Sequence, residues 1–108
     1  MNNTQILTAT IASSGTVSTV VDLSQFSWLA LEMPASLDST AMTFQAASGA
    51  GGVETYKAVT GVSITVAANE IASLTGTQLA SLIALGRIKL VAGTTETAER
   101  SITVIARA

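Results

Sequence analysis

The sequence has no cysteine, no histidine, one proline and four aromatic residues. Without cysteine there is no disulfide and no thiol chemistry. Without histidine the chain lacks the usual general base near neutral pH and the commonest metal ligand. Charge is scarce as well. Charged residues make up 11% of the chain, against about 25% in an average soluble protein. The five basic residues form no run, the net charge is −2 and the pI is about 4.8. A nucleic-acid partner therefore has no electrostatic support. No apolar run approaches the roughly 20 residues that span a bilayer, so no membrane partner is expected. Met1-Asn2-Asn3-Thr4 lacks the basic and apolar regions of a signal peptide. The expectation is synthesis in the cytoplasm without export by the usual route.

What is present is apolar. Hydrophobic residues make up 48% and the mean hydropathy is +0.53, which with the low charge argues against disorder. A chain of 108 residues favours one domain over residues 1–108, with residues 1–4 as a flexible N-terminal arm. At this size roughly two-thirds of the unfolded surface is buried, enough for one core. The low charge leaves two readings of the surface. Either Ala, Thr and Ser fill it, or other subunits cover part of it; solubility of a lone monomer argues for the second.

Alternation with a period of two dominates the chain. Residues 5–11 set Leu7, Ala9 and Ile11 on one face and Ile6, Thr8 and Thr10 on the other. After Ser13-Ser14-Gly15, residues 16–23 alternate again, so the two runs read as a first hairpin. Residues 28–34 place Leu29, Leu31 and Met33 against Trp28, Ala30 and Glu32, and Pro34 ends the strand. With its partner 42–46 this strand carries Trp28 and Phe44, so the core is expected to centre here. A weaker strand spans 54–59, Thr60-Gly61 turns the chain, and 62–66 is the cleanest alternation of all. Residues 67–74 read as an irregular crossing. Thr77 is the expected N-cap of a short helix over 78–85, stopped by Gly86, with Leu79, Leu82 and Ile83 as its apolar stripe. Strands over 87–91 and 101–106 follow. The count is about eight short antiparallel strands and one short helix. That predicts an all-β, jelly-roll-like β-sandwich.

Catalytic equipment is thin. The seven acids stand singly, so no carboxylate pair is marked for glycoside chemistry. Asp22, Glu32 and Asp38 would be the oxygen donors for a hard cation, yet no acid-dense loop exists, and no metal site is expected. A serine nucleophile would have only Lys57 or Lys89 as its base. The Gly-rich stretch with Gly49, Gly51 and Gly52 resembles a phosphate cradle in composition, but no Gly-Lys-Ser/Thr follows, and it reads as a long strand connection. The chain is expected not to be an enzyme and to need no cofactor. Interaction residues are the better candidates. Trp28 is either a core residue beneath the helix or an exposed platform for a sugar or an interface. Arg87, Lys89, Arg100 and Arg107 either form a solvated face or a weakly basic patch for an acidic partner. With Tyr56, the candidate set is Trp28, Gly49, Gly51, Gly52, Tyr56, Arg87 and Lys89.

Several short motifs occur together: Ile11-Ala12-Ser13-Ser14-Gly15-Thr16-Val17-Ser18, Leu31-Glu32-Met33-Pro34, and Met42-Thr43-Phe44-Gln45-Ala46-Ala47-Ser48. Late in the chain come Gly86-Arg87-Ile88-Lys89-Leu90, Gly93-Thr94, and Arg100-Ser101-Ile102-Thr103-Val104-Ile105. In this combination the chain resembles the small auxiliary virion proteins of tailed bacteriophages, the head decoration or cement class. The loop after Ser48 departs from that pattern, with Gly49-Ala50-Gly51-Gly52 where an Asp-Gly is common. The resemblance implies a β-sandwich that decorates the capsid surface of the virion. Its partners would be the assembled major capsid protein lattice and neighbouring copies of itself, as a trimer or dimer. The Gly-rich loop and the N-terminal arm would become ordered against those neighbours. The alternative is a carbohydrate- or receptor-binding β-sandwich of a phage head or tail fibre. A head-to-tail joining or tail protein keeps the virion role and changes the address.

Overall fold

The computed structural model describes residues 4–23, 25–47 and 55–107, without the side chains of residues 81 and 83–85. The candidates Gly49, Gly51 and Gly52 and residues 1–3 of the expected arm lie outside the described residues. Among the described residues there are eight strands: β1 (Thr4–Ile11), β2 (Val21–Asp22), β3 (Trp28–Glu32), β4 (Ala41–Ala47), β5 (Lys57–Thr65), β6 (Ile71–Ser73), β7 (Arg87–Ala92) and β8 (Arg100–Arg107). One helix, α1 (Gly76–Leu85), lies between β6 and β7.

Each strand pairs antiparallel with its mirror image in chain order: β1 with β8, β2 with β7, β3 with β6 and β4 with β5. The chain is therefore one long double ribbon. Folding that ribbon over gives one sheet of order β1-β8-β3-β6 and a second of order β2-β7-β4-β5. This is the jelly roll that the alternating runs predict.

The inward residues of the two sheets meet in one core. Ile11, Leu31, Ile102 and Val104 of the first sheet are fully buried, as are Met42, Phe44, Ile88 and Leu90 of the second. Each such side chain contributes about 1.5–3 kcal/mol through removal from water. Alternation decides which side chains enter. On β3, Leu29 and Leu31 are buried and Trp28 and Glu32 exposed, as their parity requires.

Several expectations need correction. Trp28 is not a core residue: it is 60% exposed, whereas Phe44 has no exposed surface. Parity outranks size, because Trp28 shares a face with Glu32 rather than with Leu31. β3 and β4 do not pair; they belong to opposite sheets. Runs 5–11 and 16–23 do not form a hairpin either. The chain crosses between sheets there, leaving a bridge between Ile11 and Ser18 and a 2.9 Å bond from Thr19 N to Thr10 O. Thr60-Gly61 is a bulge and not a turn. β4 advances from Thr43 to Gln45 while its partner residue on β5 moves from Ser63 to Ala58. Gly61, at φ 83°, lies inside that irregular stretch. The eighth strand comes instead from the stretch read as irregular, where β6 borders β3.

Helix α1 starts earlier than Thr77. Thr75 is the N-cap, and its hydroxyl accepts from Gln78 N while Gln78 Oε1 accepts from Thr75 N, a capping box. Gly86, at φ 83°, ends the helix as expected. Leu79 and Leu82 are buried; the Ile83 side chain lies outside the description.

Candidate interaction surface

The outer face of the first sheet is built by register. Thr8, Thr103, Glu32 and Ile71 form one row across the strands. Ile6, Ile105, Ala30 and Ser73 form the next, and Thr4, Arg107 and Trp28 the third. Ile6 is 64% exposed and Trp28 and Ile71 are each 60% exposed. Only Glu32 and Arg107 carry charge on these rows. Arg107 Nε donates to Thr4 Oγ1 at 3.2 Å, which lays the guanidinium toward β1. Beside it an open groove is lined by Thr4, Trp28, Leu29, Ala30, Ile105 and Arg107. Ile6 and Ile71 stand on the two opposite edge strands and Trp28 on the inner strand β3, so this one face carries three exposed large apolar side chains.

The outer face of the second sheet is different. Lys89 Nζ sits 4.4 Å from the ring centroid of Tyr56, a cation–π contact. Arg87 lies 4.0 Å from Asp22, with both side chains about half exposed. The expected interaction residues are thus divided: Trp28 is on one sheet, and Tyr56, Arg87 and Lys89 are on the other. The four basic residues do not gather into one patch, because β7 and β8 belong to different sheets. Arg100 is largely withdrawn from solvent, with 13% of its side chain exposed.

Arg100 joins a polar cluster that sequence reading did not anticipate. Glu96 is fully buried. Its carboxylate accepts from Asp38 N at 2.9 Å, Ser39 N at 3.0 Å, Ser39 Oγ, and Arg100 Nε at 3.0 Å. Arg100 Nη2 also donates to Asp38 Oδ1 at 3.2 Å, and Thr97 N donates to Asp38 Oδ2 at 2.8 Å. Ser14 N donates to Glu96 O at 2.8 Å, bringing in the β1–β2 connection. Burial pushes the Glu96 carboxyl up, yet the donors from Ser39, Asp38 N and Arg100 outweigh it and hold it below its ordinary value. Asp38 is also held low, first by the Thr97 amide and further by Arg100. With its lone pairs occupied by backbone and side-chain donors, this cluster ties three loops of one end together. Its one legible sign is the spacing of Glu96 and Arg100 by four residues. The three acids considered for a cation stand apart: Asp22 lies beside Arg87, Glu32 is on the outer face of the first sheet, and Asp38 is in this cluster. Among the described residues no group of three metal-ligating side chains gathers.

No family model matches the chain, and no curated protein matches it. The chain is similar in structure to the SPBc2 prophage-derived protein YomS, known from a crystal structure, at a TM-score of 0.63 and 17% identity. The superposition covers 100% of this chain and 96% of that one. A likeness at that identity speaks for the fold, extended from one end of the jelly roll to the other.

Proposed function

We propose that the chain is a structural virion protein of a tailed bacteriophage, which decorates the head by binding the assembled capsid lattice. The observation that carries this reading is the apolar outer face of the first sheet, with Ile6, Trp28 and Ile71 standing in solvent on a nearly uncharged surface. The end-to-end likeness to a prophage-derived protein supports the phage setting. Contacts of this kind are individually weak. A lattice offers many equivalent sites, and a small oligomer engaging several of them gains avidity without any catalytic group. In this reading the neighbours are the major capsid protein and further copies of the chain itself, and no cofactor takes part.

The test is co-sedimentation with heads assembled without the protein, taken from the phage that carries its coding sequence. Saturable binding to heads and none to tails or unassembled capsid protein is expected. Binding to tails alone, or to neither, overturns the head assignment.

One observation favours a second reading, a carbohydrate- or receptor-binding module of a head or tail fibre. Trp28 is exposed beside an open groove, an arrangement suited to stacking on a sugar ring. Trp28 is the single tryptophan, so its fluorescence reports the groove directly. A saturable change on titration with host surface polysaccharide supports this reading, and an unchanged spectrum removes it.

A further inference from the structure

The two sheets have four edges: β1 and β6 in the first, β2 and β5 in the second. An open edge invites pairing with any free strand, and monomeric proteins shorten, charge or kink their edges to prevent it. Three of these edges are protected in that way. β2 has two residues and β6 has three. β5 begins with Lys57 and is broken by the bulge around Gly61. β1 has no such device. Its eight residues, Thr-Gln-Ile-Leu-Thr-Ala-Thr-Ile, contain no charge, proline or glycine, and they run against β8 without a register shift.

The direction of the open backbone groups follows from Thr10. Its amide donates to Thr19 Oγ1 at 3.1 Å, and its carbonyl accepts from Thr19 N at 2.9 Å. Both groups therefore point away from β8. Strand alternation turns the amides and carbonyls of Thr8, Ile6 and Thr4 the same way. Among the described residues no strand pairs with β1 on that side. The β1–β2 connection covers the edge only at Thr10 and Ile11. The open stretch is thus 4–8, and its centre is Ile6.

We propose that a second copy of this chain occupies this edge, with β1 pairing antiparallel to β1 of its partner about a two-fold axis at Ile6. The sequence of the stretch selects a copy over another strand. Its outward side chains read Thr4, Ile6, Thr8, the same in either direction. Antiparallel pairing centred on Ile6 sets Ile6 against Ile6 and Thr4 against Thr8, the β-branched cross-strand pairs that stabilise sheets. Nothing charged lies on the stretch to steer a charged partner. The product is one continuous eight-stranded sheet, which packs Ile6, the most exposed of the large apolar side chains described, against its copy across the axis and joins the two Trp28-bearing faces into a single surface.

This inference deepens the oligomeric part of the proposed function and does not depend on capsid binding. Sedimentation of the full chain over a concentration series is expected to show a dimer. Ile6→Lys places two like charges on the axis, and Thr8→Pro removes an edge amide while leaving the β8 ladder untouched. Each is expected to give a folded monomer with unchanged far-ultraviolet circular dichroism. Because the chain has no cysteine, Ile6→Cys introduces one thiol. It should oxidise to a linked dimer, since paired residues there are about 5.5 Å apart between Cα atoms, whereas Ile71→Cys on the opposite edge should not. A wild type that stays monomeric at its highest soluble concentration overturns the proposal, and protection of β1 only on heads would then name the lattice as the occupant. A dimer that survives both Ile6→Lys and Thr8→Pro, or that links through Ile71→Cys, also overturns it. Head co-sedimentation separates these outcomes from failure of the virion reading.

Discussion

The guanidinium Nε of Arg100 lies 3.0 Å from Oε1 of Glu96, a carboxylate with no exposed surface. Arg100 is itself only 13% exposed at its side chain. Removing one member of such a pair leaves the other buried and unpaired, at a cost of about 3–5 kcal/mol. Arg100→Ala should therefore destabilise the chain by that amount in urea denaturation. Glu99→Gln, one residue away but exposed, should change it by less than about 0.5 kcal/mol. Equal effects from both substitutions would show that the buried pair contributes nothing special.

The same cluster sets the response to acid. Glu96 and Asp38 are held below their ordinary values of 4.5 and 3.8. A carboxylate lowered in the folded state binds fewer protons there than in the unfolded chain. Its stabilisation is fully present above the ordinary value and is lost as the pH falls through the folded value. With no histidine in the chain, the stability curve should be flat between about pH 5 and pH 8 and fall below that range. Glu96→Gln should flatten the acid limb. An equally steep limb in Glu96→Gln would place the proton uptake elsewhere.

At Gly61 the backbone takes φ 83°, a region disfavoured for side chains, although a Cβ there would meet no atom within 4 Å. The cost of substitution is conformational alone. Gly61→Val is expected to lose about 1 kcal/mol or somewhat more. Urea midpoints within error of wild type would mean that the bulge relaxes to accept the side chain.

Much of this architecture was legible because alternation is local. β1, β3, β7 and β8 lie where the period of two places them, and their buried residues are the ones that parity selects. What escaped notice depends on distant partners. β6 is three residues long and exists because β3 offers an edge to Ile71, Ala72 and Ser73. The bulge merges two expected strands into β5. Glu96 sits in a loop that reads as polar, and it is buried because Asp38 and Ser39, more than fifty residues earlier, aim their amides at it. The exposed face of the first sheet was half visible, since Trp28 and Ile6 each stood opposite an apolar set, but only the register through β8 brings them onto one surface.

The helix start is a case where the signal was present and misread. Both Thr75 and Thr77 are N-cap residue types, and only Thr75 has Gln78 three residues later to complete a capping box. Thr75→Ala should cost about 1 kcal/mol. Since α1 carries the buried Leu79 and Leu82, hydrogen exchange in the helix should accelerate with that loss. Unchanged exchange in Thr75→Ala would mean that packing alone holds the first turn.

Phe44 and Trp28 separate stability from binding. Phe44 is fully buried between the sheets, and Phe44→Ala should cost about 3–5 kcal/mol through lost burial and the cavity left behind. Trp28 is larger but 60% exposed, so Trp28→Ala should cost less than about 1 kcal/mol. Its deletion instead removes the largest apolar group from the face proposed to meet the lattice. A Trp28→Ala chain that melts like wild type but sediments less with heads is the expected result. Undiminished sedimentation would move the docking surface to the opposite sheet, where Tyr56 and Lys89 stack. A large loss of stability would instead mean that the groove beside Trp28 supports the fold and not a partner.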